Sequence, residues 1–224
     1  MVLLVRPYRG FTGRLKNLVE TRYGTMPMSI DGPYGNSDIA SRLAASDKAI
    51  LISGGSGTGY LLSLLQSILQ DPTSTAKVHV IIAVRYNDAA RCIVDELERV
   101  FEFHKLDRKV HVDVHITDDP TSPQVADPNS DHDPEKTASR RADSVVPRHE
   151  SIAVICGKGR PDLKELVRRC TMHAPIGTSV AITTCGPASM GLDVRNACAE
   201  AQGRILRGKG GAREVWLHCE AFGW

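Results

Sequence analysis

Apolar runs of strand length alternate with segments of helical period from Lys48 to the end of the chain. Ala49–Ile52 is a short unbroken apolar run. Tyr60–Leu69 then spaces its leucines and Ile68 at helical intervals until Asp71-Pro72 stops it. Lys77–Val84 is the next apolar strand, and Asp88 is placed to cap a helix running to about His104. That helix sets Ile93, Leu97, Val100, Phe101 and His104 on one face. Val110–Ile116 alternates strictly, as a strand with unlike faces near a sheet edge does. Ile152–Cys156, Ser179–Thr184 and Glu214–Cys219 read as further strands, separated by helical segments over Pro161–Cys170 and Pro187–Ala201. Repeated strand–helix–strand units predict an α/β fold: a Rossmann-like parallel sheet with helices on both faces.

Two stretches break the alternation. Residues 117–150 are dense in Asp, Pro, Ser and Thr and nearly devoid of large apolar residues, so they cannot build a core. They are expected to be a disordered insertion. Residues 1–47 show a strand-like Val2–Val5 and glycine turns around Gly10, Gly13, Gly24, Gly32 and Gly35, which suggest the end of an all-β unit. The division expected is therefore 1–47 and 48–224, in a piece of a longer protein.

Composition narrows the function classes. With 224 residues and 42% apolar content, the chain can bury one substantial core. A formal charge of +2 and 5% aromatics argue against nucleic acid as a partner. No run approaches the roughly 18 apolar residues that span a bilayer, and Met1–Arg6 lacks the pattern of a secretory leader. The chain itself is expected to be soluble. Cys92, Cys156, Cys170, Cys185, Cys198 and Cys219 are scattered without a C-x-x-C pair, and the eight histidines are equally dispersed. Reduced thiols and no metal site are expected.

Chemistry concentrates where strands meet helices. Gly54-Gly-Ser-Gly-Thr-Gly59 joins the first apolar run to its helix. At such a joint the backbone can approach a pyrophosphate, and the free N–H groups of the helix start attract negative charge. The spacing is neither G-x-G-x-x-G nor a P-loop. Arg85 ends the next strand, where NAD-binding proteins and methyltransferases place an acid for the ribose hydroxyls. An arginine there suits a 2′-phosphate, and equally reads as a solvated strand-end residue. Gly159-Arg160-Pro161 is a third strand–helix joint, open to reading as a second phosphate contact or as a turn with Pro161 at the first helical position. Cys185-Gly186-Pro187 is a fourth, its thiol either facing the cleft or buried as structure. A C-terminus ending Phe222-Gly-Trp224 is either the cover of a flat cofactor or a plug on the core.

In this order the segments resemble the ferric reductase and NADPH oxidase family of the ferredoxin–NADP reductase-like superfamily, closest to the NAD(P)-binding C-terminal domain of fungal ferric-chelate reductases. Asp31-Gly-Pro-Tyr-Gly35 is similar to the motif that closes the family's flavin-binding β-barrel. Gly54-Gly-Ser-Gly57 with Tyr60–Leu65, Arg85, Gly159–Pro161, Cys185–Pro187 and Glu220-x-Phe-x-Trp224 complete the set. The resemblance implies an oxidoreductase in which Gly54, Gly55, Ser56, Gly57 and Gly59 hold the NADPH pyrophosphate. Arg85 and Arg160, with Gly159 and Pro161, hold its 2′-phosphate. Cys185, Gly186 and Pro187 would line the nicotinamide pocket, with Phe222 and Trp224 over the flavin. Thr12 and Gly10 would touch the FAD pyrophosphate. The family's H-P-F/Y-S/T flavin motif and haem-bearing membrane helices are absent from this sequence. Residues 1–47 are thus expected to be the remnant of a FAD barrel. The parent enzyme would lie at the cytosolic face of a membrane, the plasma membrane being the one expected, and reduce ferric chelates through haem. A superoxide-forming oxidase, a non-catalytic NADP-binding fragment and, most distantly, a methyltransferase are the alternatives.

Overall fold

The computed structural model describes residues 7, 9–21, 37–104, 110–117 and 152–220. The chain divides into two compact units, Met1–Asp38 and Ile39–Trp224. In the first, helix α1 spans Phe11–Thr21. The expected turn is present at Gly10, whose φ is +78°. The residues after it form a helix where the tail of an all-β unit was expected. Phe11, Leu15, Leu18 and Val19 recur at helical spacing, Lys16 and Glu20 pair one turn apart at 3.7 Å, and Gly13 alone does not stop the run. Val2–Val5, Asp31–Gly35 and the insertion beyond Thr117 lie outside the described residues, as do Phe222 and Trp224.

The second unit contains α2 from Ile39 onward (Ser37–Ala44 in full), β1 (Lys48–Gly54), α3 (Thr58–Gln70), β2 (Lys77–Val84) and α4 (Asn87–His104). It continues through β3 (Val110–Ile116), β4 (Ile152–Lys158), α5 (Leu163–Met172), β5 (Thr178–Cys185), α6 (Ala188–Leu206) and β6 (Ala212–Glu220). The strands form one six-stranded sheet in the order β4-β3-β2-β1-β5-β6, every neighbouring pair parallel. Strand alternation divides the apolar residues between two cores. Ala49, Leu51, Val80, Ile82 and the valines of β3 join Leu61, Leu65, Leu97 and Phe101 on one face. Ile50, Ile52, Ile81, Val180 and Ile182 join Leu166, Val167, Val194 and Ala197 on the other. This is the Rossmann-like sheet with helices on both faces that the sequence pattern predicts.

From β1 the chain winds outward through β2, β3 and β4, then returns to place β5 on the opposite flank of β1. The order reverses between β1 and β5, and open α/β sheets bind ligands in the crevice outside that point. At the opposite, amino edge the same two strands are tied together. Asp47 Oδ2 accepts from the Ser179 backbone N–H and hydroxyl, both at 2.7 Å.

Candidate functional site

The joint after β1 is a single 3-10 turn, Gly55–Gly57, leading into α3. Gly55 has φ +58°, a conformation that favours glycine. Two hydroxyls brace the turn: Thr58 Oγ1 donates to the Gly55 carbonyl at 2.9 Å and lies 3.2 Å from Ser53 Oγ. No side chain caps α3, and no acid stands in its first turn. The positive end of its dipole is left for an anion. Neither Ser53 nor Thr58 was singled out from sequence; a Ser and a Thr bracketing the glycines was the signal.

The loop after β5 packs directly on this turn. A β-carbon on Gly57 would overlap the Cys185 carbonyl oxygen, and one on Gly54 would lie 2.8 Å from Pro187 Cδ. One on Gly186 would lie 3.0 Å from the Gly54 nitrogen. Three glycines therefore let two backbone loops meet at the switch point. Gly59 is different, since a β-carbon there or on Gly55 meets nothing within 4 Å.

Cys185 is 2% exposed, and its thiol is pushed up to about 11, first by burial and then by the charge of Glu220. Burial and the Glu220 charge both favour its neutral S–H form. Glu220 stands opposite Cys185 across the β5–β6 pairing and bonds His218 Nε2 at 3.1 Å. A cleft of about 190 Å³ opens beside these residues, lined by Thr184, Gly186, Pro187, Arg195, Cys219 and Glu220 among others. Thr184 and Arg195 escaped the sequence analysis because one is buried in β5 and the other lies two turns into α6.

The tips of β2, β3 and β4 are pinned to one another. The Thr117 N–H donates to the Val84 carbonyl at 2.8 Å, and the Gly159 N–H to the Ile116 carbonyl at 2.9 Å. Arg85 is exposed, its guanidinium carbon 5.5 Å from the centre of the Tyr86 ring. Gly159 turns with φ +83°, and Arg160 is exposed beyond it. Pro161 is not the first helical residue. Asp162 caps α5 by accepting the Glu165 N–H at 2.9 Å, so the helix starts at Leu163. Likewise α4 starts at Asn87, which puts Asp88 in its first turn instead of at the cap.

The structure thus brings Gly54, Gly55, Ser56, Gly57, Gly59, Arg85, Gly159, Arg160, Pro161, Cys185, Gly186 and Pro187 to one edge of one sheet. Gly10 and Thr12 belong to the other unit. The donor set at this edge fits a dinucleotide: glycine-lined backbone, an uncapped helix start and guanidinium groups further along.

Residues 46–199 match the family described as the ferric reductase NAD-binding domain. The chain belongs to that family. It is also similar to a protein of Saccharomyces cerevisiae (strain ATCC 204508 / S288c) named "Ferric reductase transmembrane component 6". The two are 24% identical over 202 residues, covering 89% of this chain and 26% of the yeast protein. The chain spans about a quarter of the length of that curated relative. Membership makes this ferric reductase NAD-binding domain an oxidoreductase-family domain for a nicotinamide dinucleotide, and the methyltransferase reading falls. Among the described residues no helix is long and apolar enough to cross a membrane.

Proposed function

We propose that the chain is the NADPH-binding part of a membrane ferric-chelate reductase. When bound, NADPH supplies a hydride to FAD, and the electrons continue through haem of the parent enzyme to ferric iron. The single observation that carries this reading is the contact of two glycine loops at the β1–β5 switch point, with the Arg85 strand tip next along the edge.

The part read for each residue rests on the family resemblance and on its place at the sheet edge. The N–H groups of Gly55–Gly59 and the start of α3 hold the pyrophosphate. Arg85 and Arg160 hold the 2′-phosphate; their strands β2 and β4 are two apart, so their backbones are about 10 Å apart at the usual strand spacing, within joint reach of two arginines. Gly159 and Pro161 fix the turn that presents Arg160. Gly186 and Pro187 give a flat ring room at the mouth of the crevice. Cys185, buried beneath the two loops with its Sγ against Gly57, backs the pocket floor from below. By resemblance, Phe222 and Trp224 cover the flavin, and Thr12 and Gly10 touch the FAD pyrophosphate. The protein's share is to position these groups and exclude competing reactions.

The test is ligand-induced stabilisation. Saturating NADPH is expected to raise the melting temperature of the chain, by more than equimolar NADH does. No shift with either nucleotide would sink the nucleotide assignment, and an equal shift would sink the preference for NADPH.

A further inference from the structure

Strict alternation along β3 turns Val110, Val112 and Val114 into one core and sends His111, Asp113 and His115 to the other face. Parallel pairing with β2 then sets His79 opposite His111. Histidines that are dispersed in sequence meet here around one carboxylate. His79 Nε2 lies 2.8 Å from Asp113 Oδ2, and His111 Nε2 lies 3.1 Å from Asp113 Oδ1. The two imidazole rings meet edge to face at 4.6 Å, and one ligand atom from each of the three residues lies within 4.8 Å of the others.

We propose that His79, His111 and Asp113 form a binding site for a divalent first-row transition-metal ion, with Zn(II) as its reference ion. The two imidazole nitrogens and one carboxylate oxygen are donors such ions accept. At metal–ligand distances near 2.0–2.2 Å, tetrahedral geometry separates neighbouring donors by about 3.3 Å. The two imidazole–carboxylate contacts, at 2.8 and 3.1 Å, would open by a few tenths of an ångström, and the donors standing farther apart, within 4.8 Å, would close towards the same spacing. Each imidazole would turn a bare nitrogen to the ion and keep its proton on Nδ1, any extra proton passing to solvent.

Charge supports the site. The Asp113 side chain is only 13% exposed and that of His79 only 10%. Each oxygen of this little-exposed carboxylate faces an imidazole nitrogen, and a divalent cation held among the three donors would add opposite charge. His111, 41% exposed at its side chain, gives the ion an entry path, and a fourth position remains for water. Lys48 acts the other way, its positive charge being felt at His79. The site is separate from the nucleotide edge. His79 precedes Arg85 by six residues of β2, about 20 Å at the rise of an extended strand.

Co(II) titration of the untagged chain, followed by Zn(II) displacement, tests this. One equivalent is expected to bind with the visible bands of nitrogen and oxygen coordination and without a thiolate charge-transfer band. Half-exposed His111 is the first residue to remove: His111→Ala is expected to weaken Co(II) at least about tenfold, the lower end of what loss of even an outer-shell partner costs. His79→Gln should do the same where it folds. The proposal is overturned if the wild-type chain shows no saturable binding. It is equally overturned if binding carries a thiolate band, or if His111→Ala leaves the affinity unchanged.

Discussion

Two stretches of the same sheet edge solve different problems. At the β1 and β5 tips, Gly54, Gly57 and Gly186 are fixed by the protein's own atoms, loop against loop, with Cys185 buried beneath. At the β2 and β4 tips the backbone is pinned through the Val84 and Ile116 carbonyls, while Arg85, beside the Tyr86 ring, and Arg160 are exposed. On the proposed function, the first stretch would recognise by shape and backbone N–H groups, which treat NADH and NADPH alike, and the second by charge, which would separate them. Affinity and specificity should therefore break independently.

Gly57→Ala strikes the first stretch hardest. Its new β-carbon collides with a backbone oxygen, which cannot swing aside as a flexible side chain would. Such overpacking costs about 3 kcal/mol, and the variant should lose NADH and NADPH together. Gly55→Ala is the control. It meets no atom within 4 Å but keeps φ +58°, so the left-handed conformation costs only about 1–2 kcal/mol. Urea denaturation checks both, and a wild-type midpoint for Gly57→Ala would mean the loops are not in the tight contact described.

Arg85→Ala isolates the second stretch. It should weaken NADPH by about 1–3 kcal/mol, as for a lost charge-assisted contact, and leave NADH nearly untouched. Added salt should narrow the NADPH–NADH gap of the wild type, because an exposed guanidinium is screened where a backbone cradle is not. Equal losses for the two nucleotides in calorimetry would erase the distinction between the stretches.

The same contrast explains what the sequence made legible. Strand–helix alternation after Lys48 was readable because the central strands β1, β2 and β5 are buried along nearly their whole length and the helices pack apolar faces on them. The glycine joints were readable because strand tips at a switch point admit few other residues. The helix Phe11–Thr21 was not, since no residue of it is buried and its glycines drew attention to turns. The start of α5 was misplaced by one or two residues because a Pro at the first turn and an Asp cap compete for the same stretch. Residues that meet across strands, such as His79 with Asp113 or Cys185 with Glu220, depend on register, which spacing along the chain does not encode.

Gly59→Ala has the smallest expected effect and the sharpest sign. Gly59 is the second residue of α3, exposed, helical and clear of every atom that a β-carbon could touch. Nothing inside the protein calls for glycine there, and alanine in a helix is favoured by about 0.4–1 kcal/mol. The substitution should raise the melting temperature of the free chain slightly. A phosphate lying against the helix start would be crowded by the same methyl group, so affinity for NADH and NADPH should fall by similar modest factors. Opposite signs for stability and affinity would fix Gly59 in the shared cradle with Gly57. A rise in stability with unchanged affinity would confine the cradle to the Gly54–Gly57 turn and leave α3 a packing element only.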